Sequence, residues 1–169
     1  IGTRRGISNK KPIIGQYGIN REGSRDMYSK GANLLHTIRQ LAKDDEVWRK
    51  TLRGLNKEFY HSTVTTGEIE EYISKSIGVD LSKVFDQYLR DYRVPVFEYE
   101  ISNGILMYRW NNVIDGFDMP LEVIIDGENT LLYPTLEFKR IPIKNLYINV
   151  DTDYYICLLY TSDAADDGY

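Results

Sequence analysis

By type, two histidines, one cysteine and scattered carboxylates are the side chains of this 169-residue chain most suited to hydrolysis or metal binding. Their spacing gives them little to do together. His36 and His61 lie 25 residues apart, and neither begins an HExxH. In that pattern two imidazoles one helical turn apart grip a zinc ion, and the intervening Glu serves as base. Each is read as an ordinary helix-associated histidine. Cys157 has no second cysteine to pair with, so it supports neither an internal disulfide nor a cysteine-based zinc site, and no redox compartment follows from it. No P-loop, GxGxxG or GxSxG occurs. The carboxylate pairs Asp44-Asp45 and Glu70-Glu71 are expected at helix starts and on solvated faces, where acids favour the helix dipole. From residue chemistry alone, no catalytic set assembles.

The elements that would position any site are clearer. At 42% hydrophobic and 27% charged, the composition excludes wholesale disorder. No apolar run approaches the roughly 18 to 20 residues of a membrane span. The net charge of −4 is uneven: residues 1–60 hold 13 Lys and Arg against 6 Asp and Glu, the remainder 8 against 19. The cations are scattered among apolar helix positions with no nucleic-acid motif, so they read as solvated faces rather than a nucleic-acid surface. The chain starts IGTRRGISNKKP, without Met or the apolar stretch of a signal peptide, and is expected to be a piece of something longer.

Residues 1–26 show no sustained period and read as loop. From Tyr28 the period becomes helical, with Ala32, Leu35, Ile38 and Ala42 on one stripe, widened by Leu34 and Leu41, and Asp26 as N-cap. A second helix follows Asp44-Asp45, with Trp48, Leu52, Leu55 and Phe59 on one face. Thr65-Thr66-Gly67-Glu68 fits a capping box for a third helix carrying Ile69, Tyr72 and Ile73. Asp80 caps a fourth, with Leu81, Val84, Phe85, Tyr88 and Leu89 inward, closed by Pro95. Thereafter the period falls to two: strands are expected over 96–101, 105–110, 120–125, 130–138 and 146–150, with Asn103-Gly104 as a hairpin turn. The fold class is thus α+β, a helical block over 1–94 followed by an antiparallel β-sandwich module over 95–156.

One stretch is specific. Arg25-Asp26-Met27-Tyr28-Ser29-Lys30-Gly31-Ala32 resembles the Tyr-x-Lys-Gly-Ala helix of the M1 family of zinc aminopeptidases, the gluzincins related to leukotriene A4 hydrolase and aminopeptidase N. The resemblance continues through Val64-Thr65-Thr66, through the helix Leu81-Ser82-Lys83-Val84-Phe85-Asp86-Gln87-Tyr88-Leu89, and across Val94-Pro95, covering roughly residues 10–125. It implies the rear of a thermolysin-like catalytic domain and most of the β-sandwich behind it. The zinc ligands and Glu base would lie upstream, so the fragment would bind no zinc and be inactive alone. Its partners would be a peptide substrate and the upstream part of its own catalytic domain.

Tyr28 aligns with the family's catalytic tyrosine, which donates a hydrogen bond to the oxyanion as water attacks the scissile carbonyl. A phenol suits that role, because with an ordinary pKa near 10 it is a neutral donor at pH 7. Against this stands simple packing of Tyr28 on its own helix, as in a hydrophobic staple. Lys30 reads as a solvated or paired neighbour, and Gly31 as a place of close approach. Some members carry an aromatic residue shortly before the tyrosine; Arg21-Glu22-Gly23-Ser24-Arg25 has none. Gly15-Gln16-Tyr17-Gly18 either lines the substrate pocket instead or is a plain loop. Two further readings stay open: a non-catalytic M1-like scaffold, and a free-standing helical and β-sandwich interaction module.

The end of the chain reads differently. Cys157-Leu158-Leu159-Tyr160-Thr161-Ser162-Asp163-Ala164-Ala165-Asp166-Asp167 resembles the in-frame translation of a sequencing-library transposon adapter. Residues 157–169 are therefore expected to add nothing to folding; the alternative is a genuine acidic tail.

Overall fold

A computed structural model describes residues 4–15 and 24–161. The chain divides between Tyr92 and Arg93 into two compact units. The fold is α+β, with helices in the first unit and two sheets in the second.

The helical unit follows its local signals closely. Helix α1 spans Asp26–Ala42, α2 Asp45–Glu58, α3 Thr66–Ile77 and α4 Ser82–Phe85, the last running on as a π turn over Asp86–Arg90. Asp44 caps α2 by accepting the Glu46 amide at 2.8 Å. The capping box of α3 is complete: Thr65 Oγ1 accepts the Glu68 amide, and Glu68 accepts the Thr65 amide. Asp80 accepts the Ser82 amide at 2.9 Å, and Leu81, Val84, Phe85 and Tyr88 are buried behind it. At Gly54 a Cβ would stand 1.9 Å from the Tyr72 hydroxyl, so this glycine lets α2 and α3 approach.

Three expectations need correction. The buried stripe of α1 is Lys30, Asn33, Leu34, Thr37, Ile38 and Leu41, while Ala32 and Leu35 face outward. Polar residues hold three of those places because backbone carbonyls satisfy them: Asn33 Nδ2 donates to Ser29 O at 2.8 Å and Thr37 Oγ1 to Asn33 O at 2.9 Å. On α2, Trp48 and Thr51 are the buried positions and Leu52 is exposed, which rotates that face by one residue. Nor does Pro95 end the fourth helix: the chain turns extended at Asp91, with φ −121° and ψ 155°.

In the second unit, β1 is Val96–Ser102, β2 Ile105–Asn111, β3 Leu121–Ile125, β4 Glu128–Leu132, β5 Lys139–Pro142, β6 Asn149–Val150 and β7 Cys157–Tyr160. They form a four-stranded sheet in the order β5-β2-β1-β7 and a three-stranded sheet β4-β3-β6, a β-sandwich-like module. Two hairpins share one device. Asn103-Gly104 joins Ser102 to Ile105, and Asp126-Gly127 joins Ile125 to Glu128, with positive φ at all four turn residues. Alternate residues of β2, Leu106, Tyr108 and Trp110, point into the core with Phe97, Phe117, Met119, Leu121 and Val123. Across the β1–β2 pair, Glu98 faces Arg109 at 2.7 Å.

β7 differs from the other strands by pairing in parallel, with β1, from Val96↔Cys157 to Tyr99↔Tyr160. Its Leu158, Leu159 and Tyr160 are 49%, 42% and 49% exposed, and Tyr160 leans on Tyr99 with ring centroids 5.1 Å apart. The pairing rests on main-chain bonds, such as Cys157 N to Pro95 O at 2.9 Å and Thr161 N to Tyr99 O at 3.1 Å. An edge strand offers such bonds to any extended segment, whatever its side chains. Deleting residues 157–169 is therefore expected to move the unfolding free energy by no more than about 0.5 kcal/mol in denaturant titration. A loss above about 2 kcal/mol would show that Leu158 and Leu159 belong to the core.

Candidate active site

The candidate site is the first two turns of α1. The helix is started by Ser24, not by Asp26: Ser24 Oγ accepts the Asp26 amide at 3.2 Å, and Ser24 O the Met27 amide at 3.0 Å. Arg25, at the N-cap position, makes no side-chain cap bond. Asp26 is freed to hold the N-terminal segment instead. Its buried carboxylate accepts the Asn9 amide at 2.7 Å, the Ser8 amide at 2.9 Å and the Ser8 hydroxyl at 3.2 Å. Burial would raise the Asp26 pKa, but those bonds and the nearby Lys30 charge outweigh it and hold it below the usual carboxylate value.

Tyr28 is the third residue of α1 and is 72% exposed. It is flanked outward by Met27 at 41% and Leu35 at 44%. Gly31 does not act as a close approach among the described residues: a Cβ there would meet nothing within 4 Å. It leaves open space beside the tyrosine, on the same face one turn along. Of the two readings of Lys30, solvated or paired neighbour, the structure has the paired one: the residue is fully buried, with its amino group near the carbonyls of Asp91 and Tyr92 at 3.4 and 3.5 Å. Sequence reasoning missed this arrangement. The one signal for it was a charged pair, Asp26 and Lys30, at helical i,i+4 spacing.

Of the other candidates, Glu70 departs from the solvated face expected for it, its side chain being only 14% exposed. His36 lies in α1 beside Gln40, and His61 follows α2 in a left-handed turn, edge-on to Tyr60. Asp45 pairs with Arg39, Glu70 with Arg90 and Glu71 with Lys75. Among the described residues, no group of three or more His, Cys, Asp or Glu could hold a metal ion. Nor is any helix there long and apolar enough to cross a membrane. Gln16-Tyr17-Gly18 and Arg21-Glu22-Gly23 lie outside the described residues.

Comparison with solved structures finds this architecture within part of a larger protein. The chain is similar to the crystal structure of Legionella pneumophila aminopeptidase A in complex with aspartic acid, with a TM-score of 0.61 and 16% identity. The match covers 82% of this chain and 18% of the Legionella protein, so the chain corresponds to under one fifth of that length. No protein-family model matches the chain, and no curated protein does.

Proposed function

We propose that the chain is part of a zinc-dependent aminopeptidase of the M1 family, a gluzincin that hydrolyses N-terminal residues from peptides. Residues 1–94 would belong to the rear of its catalytic domain, 95–156 to the β-sandwich that follows, and 157–169 to translated adapter DNA. The observation that carries the reading is Tyr28: an outward phenol on a helix turn anchored from its other side, within an aminopeptidase-like fold.

In that enzyme Tyr28 would donate a hydrogen bond to the substrate's carbonyl oxygen as negative charge develops there. A donor fixed in a helix's first turn needs little reorganisation, and the positive helix end adds to the field. By the resemblance, the zinc ligands would come from the upstream part of the same catalytic domain. That part would cover the outward face of α1, where Met27 and Leu35 are exposed and Gly31 leaves room.

The test is to read the coding DNA upstream of Ile1 in frame. An HExxH followed, about one helix later, by a Glu ligand is the expected finding. Loss of either would turn the proposal to the non-catalytic scaffold, and a stop codon just upstream to the free-standing module.

A further inference from the structure

Lys30 has a cost that packing alone does not explain. Its exposure is 0%, although lysine is almost never fully buried without partners. Burial pulls its pKa below the ordinary lysine value, and the charges of Asp26 and Asp91 offset that only in part. It also sits near the positive end of its own helix, where a cation is disfavoured. A methionine would fill much the same volume without either penalty. Departures of this kind from local rules concentrate where function constrains a residue.

Its contacts show what the lysine accomplishes. The amino group donates to Asp91 O and Tyr92 O, in the extended chain just past the π turn, and so ties that chain to α1. Four residues earlier, on the same side of α1, Asp26 grips the amides of Ser8 and Asn9. The same N-terminal segment reaches the π turn as well, through Ile14 N to Leu89 O at 2.9 Å. Helix residues advance by about 100° each, so Tyr28, two residues from both Asp26 and Lys30, points roughly the opposite way. Two buried anchors thus flank one exposed phenol.

We infer that Lys30, acting with Asp26, is a positioning residue that clamps the start of α1 to the end of the π turn and so fixes the Tyr28 hydroxyl. The inference rests on the role proposed above for Tyr28. Lys30→Met keeps the apolar stem and removes the donors. In the 169-residue chain, amide hydrogen exchange should then quicken about tenfold or more at Asn9, Ile14 and Tyr28, with Leu34 to Leu41 unchanged. In the complete parent, Lys30→Met should lower kcat by about 10- to 100-fold on an aminoacyl reporter, with KM little altered. In a Tyr28→Phe background the same substitution should change kcat less than about twofold, since the group it positions no longer acts. A purely structural lysine would lower kcat equally in both backgrounds, and that result overturns the inference. So does unchanged exchange in the chain. Asp26→Asn repeats both arms should Lys30→Met not fold. A fully active Tyr28→Phe parent would mark a different failure, that of the oxyanion assignment itself.

Discussion

Tyr28→Phe in the proposed aminopeptidase parent is expected to lower kcat by about 10²–10³, or roughly 2.7–4 kcal/mol of transition-state stabilisation. The substitution keeps the ring and deletes one hydroxyl. Because Tyr28 is 72% exposed and Phe retains the helix contacts, the fold should survive. The lost bond strengthens mainly as the carbonyl becomes tetrahedral, so kcat and kcat/KM should fall together while KM changes little. Zinc content should equal that of the unaltered enzyme, since no ligand is touched. Steady-state kinetics with metal analysis of the same sample checks both halves. A near-normal kcat with zinc intact would mean that Tyr28 is a surface tyrosine and nothing more.

The largest stability effect belongs to the β-module. Trp110 is 0% exposed and meets Phe97 and Phe117 edge-on, with ring centroids 5.7 and 5.4 Å away. Its indole N–H donates to Met119 O at 3.0 Å. Trp110→Ala is expected to cost about 3–5 kcal/mol, from lost burial, the cavity left behind and a carbonyl stripped of its donor. For a marginally stable domain that is a large part of the whole. Trp110→Phe should retain most of the packing and lose chiefly the bond, about 1–2 kcal/mol. Chemical denaturation of the β-module, followed by circular dichroism, would measure both. Trp48, in α2, remains as a separate fluorescent reporter of the helical unit. An Ala variant within about 1 kcal/mol of the parent chain would show that the module's core lies elsewhere.

Local chemistry made much of this fold legible. The Asp44 cap, the Thr65–Glu68 box, the Asn103-Gly104 turn and the alternation of β2 each act over a few residues, and each appears in the structure. What sequence did not show was which polar side chains backbone carbonyls would satisfy, whether one turn away or far along the chain. Asn33 and Thr37 look solvent-facing by type, yet they are buried because helix carbonyls accept their donors. A hydropathy stripe therefore chose Ala32 and Leu35 over them. For Lys30 the sequence left solvated and paired both open, because the acceptors that decide for paired lie 61 and 62 residues away. The short β5 escaped notice because its four residues, Lys139–Pro142, carry too little alternation to register as a strand. For the candidate site, the motif proposed Tyr28, and the structure shows buried anchors on the far side of its helix.

The outer edge of β1 carries a wider consequence. It holds Cys157–Tyr160 through main-chain groups that discriminate little between sequences, in a register running only from Val96 to Tyr99. Such an edge is a socket rather than a lock. A chain trimmed after Ile156 would present it empty to its neighbours in solution, where two copies could share a sheet at high concentration. Preparations of such a trimmed chain are thus better kept dilute than judged by their first aggregate.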